Sequence, residues 1–142
     1  MRNKKGFTLF ELLVSISIIG ILIAISSVSF SAAQKKARDA RRLEDMSAVS
    51  KAAETYYSLS NYSYPPNSTN PWVIIGTGET VLAVYPKDPK NISPNVYNYQ
   101  QTASGYYACA GVENPSNGNS STDTGTVGAG GTGPYFCVKN QQ

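Results

Sequence analysis

The sequence predicts an α+β protein in which one long N-terminal α-helix packs the second half of its length on a small antiparallel β-sheet. Three observations predict this class. Residues 12–34 form a run of 23 without a charged side chain. No proline occurs before Pro65, so nothing in the first 64 residues forces a helix to break. Short runs of β-branched and aromatic residues, separated by turn residues, then fill the remainder of the chain.

The composition excludes several kinds of site. The 142 residues are enough for about one domain. The chain has no histidine, which excludes a Ser-His-Asp triad and any imidazole ligand to a metal. Its two cysteines cannot form a four-cysteine zinc site. An enzyme is therefore not expected.

The uncharged run at residues 12–34 predicts a membrane-spanning helix. About 20 apolar residues cross the hydrocarbon core of a bilayer as a helix. A buried core helix is the alternative, but the polar remainder of the chain could not cover such a helix on all sides. We therefore expect residues 7–34 to form the half of the helix that lies in the membrane and mediates assembly.

The next segment, residues 35–60, predicts an amphipathic continuation of the helix. Apolar residues recur there at spacings of three and four: Leu43, Met46, Val49, Ala53 and Tyr56/Tyr57. Five basic residues between 35 and 42 could contact phosphates, lipid headgroups or acidic neighbours, and the favoured interpretation is a solvated helix turn. Without the first six residues the chain has nine basic and nine acidic residues, so binding to nucleic acid is not indicated.

The N-terminus has the basic start and apolar run of a secretory signal peptide, but two features argue against one. The run is longer than the 7–15 apolar residues typical of signal peptides. Glu11 also lies directly before it, and a carboxylate at membrane depth is costly and usually has a functional partner.

Residues 4–14, with the sequence KKGFTLFELLV, resemble the prepilin leader and cleavage site of type IV pilins and of the pseudopilins of type II secretion. The resemblance implies a six-residue leader, cleavage between Gly6 and Phe7 by a prepilin peptidase, and N-methylation of Phe7 by the same enzyme. It also implies a pilin fold, in which Glu11 of one subunit pairs with the Phe7 amine of its neighbour.

The resemblance further implies location and partners. The precursor should cross the inner membrane once with its N-terminus in the cytoplasm, and then leave the membrane to join an extracytoplasmic filament. Five basic residues follow the run and three precede it, so charge alone favours the opposite topology. The leader motif requires a cytoplasmic N-terminus, and we let the motif decide. The implied partners are membrane lipid, copies of this chain, other pilins or pseudopilins, an inner-membrane platform protein and an assembly ATPase.

Residues 61–142 predict a globular β head. Its predicted strands are Val73–Ile75, Val81–Tyr85, Val96–Gln101, Tyr106–Val112 and Tyr135–Lys139. Cys109 and Cys137 should form a disulfide outside the cytoplasm, and a redox or metal pair is the less favoured alternative. Residues 111–133 are rich in glycine and predict a mobile surface loop. No cofactor is expected, although Glu113 and Asp123 could bind Ca²⁺ as the major pseudopilin does in its C-terminal loop.

Three classes of function remain open from the sequence. The first is a structural subunit of a type IV pilus or pilus-like fibre, which serves adhesion, motility or DNA uptake. The second is the major pseudopilin of a type II secretion system, to which the stretch Pro86–Pro89 bears a loose likeness. The third is an enzyme or receptor domain on a membrane tether, which would not require Glu11.

Overall fold

The computed structural model describes residues 6–66, 71–92, 96–124 and 133–140. The chain forms two compact units, Met1–Lys35 and Lys36–Gln142. The described residues form one long helix and two small antiparallel sheets, which confirms the predicted α+β class. The sequence predicted one sheet, and its division into two is a correction.

Helix α1 runs from Leu9 to Leu59, close to the predicted bounds. Its side chains are exposed from the first turn to residue 37. Within the described part of the chain, α1 is the helix that is long and apolar enough to cross a membrane. Five of the six serines among its apolar residues donate to carbonyl oxygens one turn earlier, at 2.7 to 3.5 Å; they are Ser15, Ser17, Ser26, Ser27 and Ser29. These hydroxyls are therefore satisfied within the helix itself.

The second half of α1 is amphipathic, as predicted. Met46, Val49 and Ala53 are fully buried on one face, and Tyr56 is nearly so. The same face continues towards the N-terminus through two charged residues, Asp39 and Arg42, which are also fully buried. Burial of two ionised groups requires partners, which the head supplies.

Two short sheets form the β part of the head. Strands β1 (Trp72–Val73) and β2 (Thr80–Leu82) pair antiparallel. Strands β3 (Asn98–Thr102), β4 (Gly105–Gly111) and β5 (Tyr135–Lys139) form the second sheet in that order, also antiparallel. The predicted strand Val81–Tyr85 ends early at Leu82, and Tyr85 fills the core from a loop.

Aromatic rings make up much of the core between α1 and the sheets. Trp72 lies 5.1 Å from Tyr99, Tyr99 lies 5.7 Å from Tyr106, and Tyr106 lies 4.9 Å from Tyr64, measured between ring centroids. Small residues on the facing side of α1, Ala53 among them, leave room for these rings. The unusual tyrosine content of the chain therefore reflects a core of aromatic pairs.

The predicted disulfide between Cys109 and Cys137 is confirmed, with an S–S distance of 2.08 Å. The two cysteines face each other in the register of β4 and β5. Part of the loop that they close is folded: a 3₁₀ turn spans Pro115–Asn117, and the buried Ser120 pairs with Tyr135. The prediction of a mobile loop is therefore wrong for residues 113–124, while residues 125–132 lie outside the described residues.

Candidate functional site

The start of α1 is organised by a reciprocal cap. The backbone N–H and hydroxyl of Thr8 donate to Oε2 of Glu11, at 2.9 and 2.8 Å. The backbone N–H of Glu11 in turn donates to the Thr8 hydroxyl oxygen at 3.2 Å. This is a capping box, which satisfies backbone donors that have no partner inside the helix.

The cap leaves Glu11 available for a second interaction. Both hydrogen bonds from Thr8 go to Oε2, and Oε1 accepts none among the described residues. The Glu11 side chain is exposed within its own unit. A cation from another molecule could therefore approach a carboxylate whose orientation is already fixed.

The predicted cleavage site is accessible. Gly6 and Phe7 precede the first helical residue, and both are exposed. A Cβ added at Gly6 would meet no other atom within 4 Å. The peptide bond between Gly6 and Phe7 therefore lies in an exposed segment outside the helix that a peptidase could bind.

The second unit contains another constellation, a cluster of six charged residues centred on the buried guanidinium of Arg42. Nε of Arg42 donates to Oδ2 of Asp88 at 2.6 Å, and Nη2 donates to Oδ1 of the same carboxylate at 3.1 Å. Nη1 donates to Asp39 at 2.8 Å and to Glu113 at 3.1 Å. The three carboxylates thus surround one cation. All three are largely buried: the exposed fraction of the side chain is 1% for Asp39, 0% for Asp88 and 11% for Glu113.

The outer part of the cluster balances its charge. Arg38 holds Glu113 through two bonds of 2.6 and 2.8 Å, and Nζ of Lys90 lies 3.1 Å from the same carboxylate. Three cations therefore meet three anions. We call these residues the Arg42 cluster: Arg38, Asp39, Arg42, Asp88, Lys90 and Glu113.

The cluster also ties two loops of the head to α1. Asp39 accepts bonds from the backbone N–H groups of Glu113 and Asn114, at 2.8 and 2.9 Å. Asp88 accepts from the backbone N–H groups of Lys90 and Asn91, at 2.8 and 3.3 Å. These bonds satisfy the carboxylate lone pairs that Arg42 does not reach. A buried ion pair needs such additional hydrogen bonds to offset the cost of removing its charges from water.

The cluster corrects one interpretation of the basic segment at residues 35–42. Lys35, Lys36 and Arg41 are exposed, as expected of a solvated turn. Arg38 and Arg42 instead bind acidic residues of their own head. Two of the five basic side chains are thereby occupied within the fold.

Glu113, one of the two calcium candidates, belongs to this cluster. Three cationic side chains already hold its carboxylate. The backbone oxygen of Asp123, the other candidate, accepts a bond from Asn98. Among the described residues no group of three or more histidine, cysteine or acidic side chains could hold a metal ion. Calcium at Glu113 would have to displace its cationic partners.

The surroundings of the three carboxylates lower their pKa values. Bonds from Arg38 chiefly hold the pKa of Glu113 well below its ordinary value. Burial raises the pKa of Asp39 and of Asp88, but the backbone N–H bonds and Arg42 lower both pKa values by more than burial raises them. All three groups are therefore ionised at neutral pH.

Acid should destabilise the head through these carboxylates. Because their folded pKa values are depressed, the stability that they contribute is present above the unfolded pKa values and is lost as pH falls. We expect a thermal midpoint that is flat between about pH 7 and 5 and falls steeply below about pH 4, measured on the full chain by circular dichroism. Glu113→Gln should flatten this fall, whereas Glu79→Gln, an exposed control outside the cluster, should not. Equal acid profiles for the wild type and Glu113→Gln would contradict the prediction.

Sequence reasoning missed both the capping box and the Arg42 cluster. The capping box has a local signal, since a Thr three residues before a Glu precedes an apolar run. The cluster has a weaker one: Asp39 and Arg42 lie three apart on the apolar stripe of α1. Their partners Asp88 and Glu113 are 46 and 71 residues away from Arg42, beyond the reach of any local pattern.

Comparisons with known proteins agree with the N-terminal geometry. The family model described as the prokaryotic N-terminal methylation motif matches residues 1–27. The type IV wide pilus major component PilA4 of Thermus thermophilus is 43% identical over 67 residues, which are 47% of this chain. The aligned stretch spans only half of that relative's length. No solved structure matches the chain significantly.

Proposed function

We propose that this chain is a member of the type IV pilin family and a subunit of a type IV pilus or a closely related fibre. Its similarity to a pilus component over about half of that relative's length supports a pilin-like structural role over an enzymatic one. The match to a major component of a wide pilus favours a pilus over a secretion fibre.

One observation carries the proposal: an apolar half-helix whose side chains are exposed throughout. The described residues of the first unit do not bury any of them. So long an apolar surface requires a bilayer before assembly and neighbouring helices afterwards. The same segment can serve both environments, because a helix satisfies its own backbone in each.

Glu11 gives this otherwise uniform surface a preferred partner. Cleavage after Gly6 creates a cationic amine on Phe7. In a bundle of such helices, Oε1 of Glu11 can accept a bond from the Phe7 amine of a neighbour while Oε2 continues to cap Thr8. Pairing removes the penalty of leaving either charge alone in apolar surroundings, and it sets the axial register between subunits.

Assembly also requires proteins that act on the chain. We infer a prepilin peptidase that cleaves and methylates it, an inner-membrane platform protein and an ATPase that drives growth. Lipid surrounds the precursor, which crosses the inner membrane once with its leader in the cytoplasm. The assembled product outside the membrane is a filament of copies of this chain and other pilins.

Processing provides the first test. Mass spectrometry of protein from sheared filaments should show a chain that begins at methylated Phe7. Gly6→Leu should leave the precursor in the membrane, because a bulky residue blocks the peptidase site. Gly20→Ala, a substitution inside the helix, should be processed normally. Intact Met1 in assembled material would refute the assignment of the leader.

The phenotype of a gene deletion distinguishes a pilus subunit from the alternative, a pseudopilin of a secretion fibre. Loss of surface filaments with normal protein export supports the pilus, and loss of export with filaments intact supports the secretion fibre. The stretch Pro86–Pro89 does not decide between them, since its Asp88 is used to bind Arg42.

A further inference from the structure

A cavity of about 390 Å³ opens where the end of α1 meets the turn between β3 and β4. This volume lies within the usual range of small-molecule sites. Its lining includes three tyrosines, the turn between β3 and β4, and the residue after β5. The lining side chains that the structure describes include no acidic or basic residue.

The tyrosines form a connected aromatic wall. Tyr57 stacks on Tyr64 with ring centroids 4.5 Å apart, and it meets Tyr62 edge to face at 5.5 Å. Tyr62 is 76% exposed, so much of its ring is accessible to a ligand. Tyr62 also has a φ of +60°, which is uncommon for a bulky residue. The backbone is strained at the position that holds the exposed ring, and such strain is concentrated at functional sites.

The lining also presents two side-chain amides that hydrogen bonds hold in position. Nε2 of Gln101 donates to the backbone oxygen of Tyr64 at 3.0 Å, and Nδ2 of Asn140 donates to the backbone oxygen of Ser104 at 3.2 Å. The Asn140 amide lies so close to Gly105 that a Cβ there would overlap it. Gly105 therefore leaves room for this amide.

We propose that this cavity binds a neutral saccharide. Aromatic faces pack against the C–H faces of a sugar ring, while amide and hydroxyl groups bond to its hydroxyls. The lack of a charged lining residue disfavours phosphate and sialylated ligands. The inference does not depend on the proposed filament, since all of these residues belong to the second unit, Lys36–Gln142.

The test uses the full chain in a phosphocholine detergent, because glycoside detergents carry sugar headgroups of their own. Lactose, cellobiose and N,N′-diacetylchitobiose are the neutral probes, with sialyllactose and an uncharged Gly-Ser peptide as comparisons. Saturation-transfer NMR should show binding of at least one neutral probe and a weaker response from both comparisons. No binding of any neutral probe, or an equal response from the comparisons, would overturn the proposal.

Variants locate the site. Tyr62→Gly removes the ring and favours the positive φ, so the head should fold normally while affinity for the bound sugar falls about tenfold. Tyr62→Phe keeps the ring and should retain most of the affinity. Val84→Ala, at an exposed residue outside the cavity, should bind as the wild type does. Unchanged affinity in Tyr62→Gly would place the binding elsewhere and refute this site.

Discussion

Glu11→Ala should yield a processed, membrane-inserted chain that forms few or no filaments. Removing the carboxylate makes the segment more apolar, so insertion should not suffer. Assembly should suffer, because each Phe7 amine would lose its partner in surroundings where an unpaired charge is costly. The loss recurs at every subunit. Filament yield in a shear preparation and precursor content in membranes measure the two effects.

The capping box requires a control for this prediction, since Glu11→Ala also removes a helix cap. Glu11→Gln keeps an acceptor for Thr8 but has no charge, whereas Thr8→Ala keeps the charge and removes the cap hydroxyl. If pairing between subunits is the main role, Glu11→Gln should fail to assemble and Thr8→Ala should assemble. The reverse pattern would show that capping is the main role.

Arg42→Met should destabilise the head by roughly 3–5 kcal/mol, the usual cost of removing one partner from a buried ion pair. Methionine fills much of the volume of the arginine stem. It leaves Asp39 and Asp88 buried without their cation and weakens the attachment of two loops to α1. Denaturant unfolding of the full chain, followed by near-ultraviolet circular dichroism, should show the loss as a lower midpoint.

Two further variants sharpen this test. Arg41→Met removes the neighbouring exposed arginine and should change stability by less than about 0.5 kcal/mol. Arg42→Lys keeps the charge but cannot form the two-pronged bond to Asp88, so its midpoint should lie between those of the wild type and Arg42→Met. Equal midpoints for Arg41→Met and Arg42→Met would contradict the assigned role of the cluster.

Much of the helix could be predicted from sequence because its determinants are local. The absence of proline, the uncharged run and the apolar spacing from Met46 to Tyr56 are each patterns of residues that are neighbours in sequence. The start of the helix was two residues off, and the Thr8–Glu11 pair could have corrected it. The pairing of Cys109 with Cys137 followed from their being the two cysteines of the chain.

The head could be predicted only in part, because aromatic residues suit both strands and core-filling loops. Tyr85 matches a strand pattern, yet it reaches the core from a loop. Residues 113–124 have the composition of a mobile loop, yet contacts with Asp39 and Tyr135 give them a defined fold. The inward position of Arg42 depends on acids that are distant in sequence, so no local pattern separates it from the outward Arg41.

The serines of the apolar half-helix have a mechanical consequence. Because five of the six serine hydroxyls between residues 12 and 34 donate to their own backbone, a neighbouring helix meets a surface that offers it few hydrogen-bond donors. In the proposed filament, dispersion forces between such surfaces would resist separation but offer little resistance to sliding. The ionic contact near the start of each helix would then bear most of the axial load. A filament stretched along its length should therefore lengthen once those contacts break, before its subunits separate sideways.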